Sequence, residues 1–296
     1  MSEVVLIVSR LLHYMATLTL FGVSIFPLYI YTKLRIASDL HWTWWLAATA
    51  FGSGLLWFAS VTFSMAGKLD LDALWSVLSE TSFGKVWLIR IIVMMVLVLA
   101  LKLKSPAGRR SWLFPALCAG LLVSLAGVGH TQIENGFTHF IHVGADALHL
   151  LAAGAWLGGL VSLFSLVARA VGASSPDWDA EASNAAIRFS GMGYLAVSTL
   201  IISGLINSWF LIGSPSNLGT PYGQLLIVKL VLFAGMLGLA GVNRFLIVPK
   251  LVKANDGRPS GGLVSLRRHI VGEQALGLAI LVIVSVLGTM QPAVTQ

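Results

Sequence analysis

The residues able to do chemistry in this 296-residue chain are few, and their spacing is informative. His142, Asp146 and His149 are four and three residues apart, so a helix sets all three on one face. His139 extends that stripe, and Trp156 continues it seven residues beyond His149. Arg10, His13, Thr17 and Ser24 form a comparable seam near the N-terminus. His130 closes Gly127-Val-Gly-His130, where small residues let a neighbouring backbone approach. Neutral imidazole is the commonest metal ligand and thioether suits Cu(I). His130, His149, His142, His13 and Met290 are therefore the candidate metal ligands, with Met65 and Met15 near the same end. Asp146 has two candidate roles: holding a ligand histidine in one tautomer, or pairing with Arg10.

Packing alternatives stand beside these roles. An intramembrane histidine often only bonds a neighbouring helix, and His139 and His142 also fit an interfacial position. Arg10 with Asp146 fits a structural ion pair. Glu273, toward the opposite end, has Arg267 and Arg268 as nearby partners, or an exit-side role. Arg90 and Lys229 fit charge balance or lipid headgroup binding, or they snorkel.

These groups recur in order. Arg10-Leu-Leu-His13 with Gly22 is matched by Asp146-Ala-Leu-His149 with Gly158 at the same distance. Thr81-Ser-Phe-Gly84 followed by Arg90 is matched by Thr220-Pro-Tyr-Gly223 followed by Lys229. Ionisable side chains are costly in a membrane core and are usually kept for a site or a pathway. Their recurrence predicts two repeats, residues 1–132 and 139–296, with a site between them. His130, His142 and Met290 break the symmetry.

The positioning elements are helices. Mean hydropathy is +0.86, with 57% apolar and 10% charged residues, so the chain reads as an all-α integral membrane protein. Long apolar runs exclude a β-barrel, whose strands alternate. The net charge of +7 sits in short loops, and no aromatic-basic pattern points to nucleic acid. The single cysteine, Cys118, excludes an internal disulfide and a thiolate cluster. No basic segment precedes the first apolar stretch, so it is expected to be a retained helix rather than a signal peptide.

Apolar windows predict eight transmembrane helices: 4–30, 42–66, 86–103, 112–130, 141–167, 189–212, 225–247 and 270–290. Alternate loops carry fourteen Lys and Arg residues against two, Lys68 and Lys85, on the other side. The positive-inside bias places both termini in the periplasm. Four helices per half predict parallel repeats about an axis along the membrane normal.

The chain resembles the CopD/PcoD family of bacterial inner-membrane copper-resistance proteins. The resemblance rests on Arg10-Leu-Leu-His13, Phe83-Gly84-Lys-Val-Trp87-Leu-Ile-Arg90 and Gly129-His130. It continues through His149-Leu-Leu-Ala-Ala-Gly-Ala-Trp156-Leu-Gly-Gly159, Thr220-Pro-Tyr-Gly223 with Lys229, Asn243-Arg244, and Glu273 ahead of Pro292. It implies an eight-helix protein that moves copper between periplasm and cytoplasm, and a separate CopC-like periplasmic copper-binding partner. Carried onto this chain, it points to His13, His130 and His149.

Three functions compete: a non-enzymatic copper permease, a membrane electron-transfer protein with haem between His13 and His149, and a copper-binding scaffold that moves nothing. No ATP-binding motif is present. Beyond lipid, partners include a second copy of the chain, since Gly235-Met-Leu-Gly238 and Gly154 to Gly158 can pack within or between chains.

Overall fold

The computed structural model describes residues 3–30, 40–102, 112–128, 136–173, 175–253 and 261–295, and these are helical with short connections. The elements are α1 (Glu3–Tyr29), α2 (Leu40–Ala66), α3 (Leu71–Glu80), α4 (Ser82–Lys102) and α5 (Leu113–Val123), which tightens into a 3-10 turn over Ser124–Gly127. Next come α6 (Phe137–Ala153), a π segment (Gly154–Gly158), α7 (Gly159–Ala173), α8 (Pro176–Ile212) and a 3-10 turn (Pro215–Gly219). The chain continues through α9 (Pro221–Val242), a second π segment (Asn243–Ile247), α10 (Val248–Lys253) and α11 (Gly261–Leu287). α6 and α7 form one continuous rod through their π segment, as do α9 and α10.

Seven helices among the described residues are long and apolar enough to cross a membrane. The expected fourth span, 112–130, is the short apolar stretch Leu113–Gly127, and the residues after Val128 lie outside the described set. Two further differences have local causes. α8 begins at Pro176, well before the predicted 189. Proline sits in its first turn, where a missing N–H costs nothing, and Asp177 and Asp179 suit the positive end of the helix dipole. α3 was not predicted. It is a short helix capped by Asp70, whose side chain accepts from the Ala73 N–H at 2.8 Å.

α1 is the centre of the bundle, packed on α2, α5, the first π segment, α7 and α11. It crosses the α6–α7 rod where Gly22 meets Gly154 and Gly158; a Cβ at Gly22 would strike the Gly154 carbonyl and the Gly158 backbone. The Gly154–Gly158 face therefore packs within the chain. Gly235 also faces inward, toward Leu276, whereas Gly238 has open space beside it.

Two apolar cores flank α1. One joins Leu20, Trp57, Trp87, Leu97 and Leu121. The other joins Leu163, Leu166, Ala185, Leu263 and Ile270. Large apolar side chains, among them Ile89, Leu99, Leu195, Leu205 and Val231, point outward. A helical surface of that kind is suited to lipid rather than water.

The matched motifs make matched contacts. Thr81 Oγ1 accepts from the Gly84 N–H at 2.9 Å, and Thr220 Oγ1 accepts from the Gly223 N–H at 3.2 Å. Each glycine starts its helix against preceding backbone: Gly84 on Val77 and Leu78 of α3, Gly223 on Asn217 and Leu218 of the 3-10 turn.

Candidate functional site

His13 is fully buried on α1, enclosed by Trp57 of α2 and Trp87 of α4. Its Nδ1 lies 2.9 Å from the Ala50 carbonyl oxygen, which can only accept, so Nδ1 carries the proton. Nε2 is then an acceptor, and the Arg90 guanidinium donates to it. Arg90 is itself fully buried and donates to the Leu121 carbonyl at 2.9 Å and the Ser124 hydroxyl at 2.5 Å. It does not snorkel. Both nitrogens of His13 are occupied by the protein.

His149 has the matched position with a different outcome. Ser203 Oγ donates to the Thr199 carbonyl at 2.5 Å, so its proton is committed there. His149 Nδ1–H therefore donates to Ser203 Oγ at 3.0 Å, leaving the Nε2 lone pair without a partner among the described residues. His149 and Lys229 line a cavity of about 270 Å³ that also includes Ala153, Leu226, Phe233 and Met236. Lys229, the counterpart of Arg90, is within electrostatic reach of both His149 and Asp146 but bonds neither directly.

Arg10 and Asp146 are not paired. Arg10 donates to the Gly288 carbonyl at the end of α11 and lies over the Trp57 ring, 4.7 Å from its centroid. Asp146 Oδ1 accepts from Asn207 Nδ2 at 3.1 Å and is within reach of His142 and Lys229. The partners hold equivalent places on α2 and α8, in Ser53-Gly54-Leu-Leu-Trp57 and Ser203-Gly204-Leu-Ile-Asn207. That recurrence was the available signal for Ser203 and Asn207, two site residues not singled out from the sequence. Gly54 and Gly204 each leave room for the facing imidazole.

The remaining ligand candidates are spread out. His142 is buried and stacks on Phe210, with centroids 4.7 Å apart and planes at 12°. His139 meets Phe140 edge-on at the start of α6. Met290 packs with Tyr222, Leu226 and Leu287 in a small apolar cluster. Met15 and Met65 are exposed on the helix surfaces. His130 lies outside the described residues. Among those described, no three His, Cys, Asp or Glu side chains come together in a group able to hold a metal ion.

A second polar site lies further along the α6–α7 rod. Glu273 of α11 is buried and does not pair with Arg267 or Arg268. Its Oε2 accepts from Trp156 Nε1 at 3.1 Å and its Oε1 from Asn243 Nδ2 at 2.7 Å. Asn243 Oδ1 is 2.8 Å from His269 Nδ1. Those neutral donors satisfy the carboxylate where α11 crosses two π segments, a crossing that sequence periodicity does not reveal.

Buried charge, imidazoles held in one tautomer and an outward-facing apolar helical surface define a polytopic helical membrane protein. Residues 1–140 match the family described as Copper resistance protein D-like, N-terminal domain, and residues 183–287 match Copper resistance protein D. The chain is 30% identical to Copper resistance protein D of Pseudomonas syringae pv. tomato, covering 99% of this chain and 98% of that protein. It is 34% identical to Inner membrane protein YebZ of Escherichia coli (strain K12), over 74% of this chain and 72% of the relative. Copper transport protein CutJ of Bacillus subtilis (strain 168) is 32% identical over 71% of this chain but 37% of its own length. No solved structure matches the chain. The chain belongs to the copper resistance protein D family.

Proposed function

We propose that the chain carries copper across a bacterial inner membrane, from periplasm to cytoplasm, through a site in its outer half centred on His149. The supporting observation is the open Nε2 of His149 beside a cavity of about 270 Å³, in a ring whose tautomer Ser203 sets. Orienting the non-ligating nitrogen of a histidine is a general device of metal sites. Asp146 supplies negative charge nearby, with His142, His130 and Met290 as further donors along the route. His13, with both nitrogens occupied, belongs to the frame.

This assignment keeps the eight-helix, two-repeat arrangement with both termini periplasmic, an orientation that the loop charges support. A CopC-like periplasmic copper-binding protein would deliver the ion to the outer end. The haem reading is less well supported, because it needs an open nitrogen on His13 and Arg90 occupies that position.

The test is copper uptake into proteoliposomes. Loss of a ligand or of its orienting partner typically costs about ten- to 100-fold in metal affinity or activity. His149→Ala is expected to lower flux by about ten-fold or more. Wild-type flux in a His130→Ala/His149→Ala double variant would reject the site.

A further inference from the structure

The copper route leaves Arg244 unused, and the surroundings of that side chain suit a different ligand. Trp156 lines two cavities, the His149 cavity and a second of about 220 Å³ that also reaches Arg244. The second is a groove between α8 and the α9–α10 rod, with apolar walls that include Leu160, Phe189, Val197, Leu237 and Ile270. Two glycines hold it open. A Cβ at Gly193 of α8 or Gly241 of α9 would meet nothing within 4 Å. α8 packs on α7 and on α10, and α9 packs on α11, so the groove is backed by the bundle. Tyr194 and Phe245 line it and are exposed, which puts its mouth on the apolar outer surface, facing lipid.

The polar groups near that mouth are donors. Arg244 Nε donates to the Tyr194 hydroxyl at 3.2 Å, and the guanidinium lies over the tyrosine ring, 5.2 Å from its centroid. The two Nη nitrogens of Arg244 have no partner among the described residues. Tyr194 accepts from Arg244, so its own O–H is left to donate. Ser190, one turn earlier on α8, also lines the groove, and its hydroxyl has no partner among the described residues. The acidic residue of the lining, Glu273, is already satisfied by an N–H on each oxygen, from Trp156 and Asn243.

The groove is also directional. From Arg244 back to Leu237 is seven residues of one rod, about two helical turns or 10 Å. Lys250 continues the rod the other way and is exposed, as is Arg268 on α11. A cation therefore stands toward the basic end of the bundle, and an apolar channel runs from it toward the middle. A membrane lipid has that polarity, head at the surface and chain toward the midplane. Basic pockets between transmembrane helices are a recurrent form of anionic headgroup site.

We propose that this groove binds one anionic phospholipid. Its phosphate rests on Arg244 with Tyr194 and Ser190, and one acyl chain lies along Gly193 and Gly241 toward Trp156. Phosphate oxygens only accept, which matches a set of donors, and a guanidinium can grip them two at a time. The sideways mouth favours a ligand that arrives through the bilayer. Lipid tails gain no hydrophobic driving force by leaving one apolar phase for another, so the headgroup contacts and the fit of the chain decide affinity. The bound chain covers Trp156 and Glu273, keeping their hydrogen bond in a dry surrounding where it is stronger.

The full chain, purified in detergent and stripped of lipid, tests this without copper. Phosphatidylglycerol, phosphatidylcholine and inorganic phosphate are titrated separately, with bound lipid counted by native mass spectrometry and the thermal unfolding midpoint recorded. Wild type is expected to retain one phosphatidylglycerol, which raises the midpoint, and to hold phosphatidylcholine about ten-fold more weakly. Arg244→Gln should weaken phosphatidylglycerol about ten-fold, about 1.4 kcal/mol. Gly193→Leu, which fills the groove and leaves the headgroup donors in place, should abolish retention. Gly241→Leu does the same from the opposite wall and serves if Gly193→Leu does not fold. Equal retention of the two lipids would overturn the anionic assignment. Retention that survives both glycine variants would show a headgroup held without a chain in the groove, and would overturn the site. So would a midpoint raised as much by inorganic phosphate as by lipid, or a dimer in place of the lipid adduct.

Discussion

The two halves place an imidazole, a cation, a capping threonine and a helix-starting glycine at matching positions, yet they do different things with them. Around His13 both ring nitrogens are occupied: the Ala50 carbonyl takes Nδ1–H, Arg90 caps Nε2 and ties α4 to α5, and Arg10 lies over Trp57. Around His149 the equivalent cation does not reach the ring, an acid stands where Arg10 stood, and a cavity takes the place of the tryptophans. A repeated signature therefore marks a shared frame rather than a shared function. One copy ties its imidazole into a structural joint, and the other leaves its imidazole open beside a cavity.

The largest effect that would break this comparison comes from Arg90→Met. It leaves His13 Nε2 and the Ser124 oxygen without the Arg90 donor in a buried interior, while the Leu121 carbonyl keeps the Ser124 hydroxyl as donor. Hydrogen bonds to charged groups contribute about 1.5–3 kcal/mol each, so stability should fall by about 3 kcal/mol in detergent unfolding titrations. Copper flux per folded molecule should hold. Unchanged stability with lost flux would make the first half the transporting one.

Lys229→Met sharpens the other side. A positive charge beside His149 opposes a bound cation, so removing it should tighten copper binding about ten-fold, about 1.4 kcal/mol, in equilibrium titrations. Weaker binding would mean that Lys229 serves the site through Asp146 instead.

The smallest effect concerns the pieces that precede the matched glycines, helix α3 in one half and the 3-10 turn Pro215–Gly219 in the other. Only α3 depends on an exposed carboxylate. Lys68, 2.7 Å away, and the Ala73 N–H hold the Asp70 carboxyl below its ordinary value. Its contribution to folding is fully present above the ordinary carboxylate range and fades as pH falls through the lowered folded-state value. Protection of the Leu71–Glu80 amides, taken relative to their intrinsic exchange rate, should fall on acidification below about pH 4, near the unfolded aspartate value. Asp70→Ala should remove that pH dependence, while the 215–219 turn shows none.

Much of the fold was legible because a membrane core leaves few options: long apolar runs must be helices with internally satisfied backbones. The seven long spans follow from that, and the repeated spacing identified His13, His149, Arg90 and Lys229 as related positions. What the residues do to one another was less legible. Arg10 and Asp146, matched in sequence and opposite in charge, looked like partners. Each instead bonds a group on a neighbouring helix, Gly288 for one and Asn207 for the other. His269 escaped notice, and Asn243 stood out only as part of the Asn243-Arg244 motif, because a polar residue near a helix end usually only meets headgroups or water.

The sequence by itself determined the helical membrane class, the long spans, the family and the short roster of groups worth testing. Apolar length, loop charge and motif spacing are properties of the chain read along its length. Only the tertiary structure decided that His13 is capped while His149 is open, that Glu273 accepts from Trp156 and Asn243, and that one indole lines both cavities. Those outcomes depend on how helices distant in sequence rotate and cross, and a difference of one side chain at the crossing exchanges a closed joint for a vacant ligand.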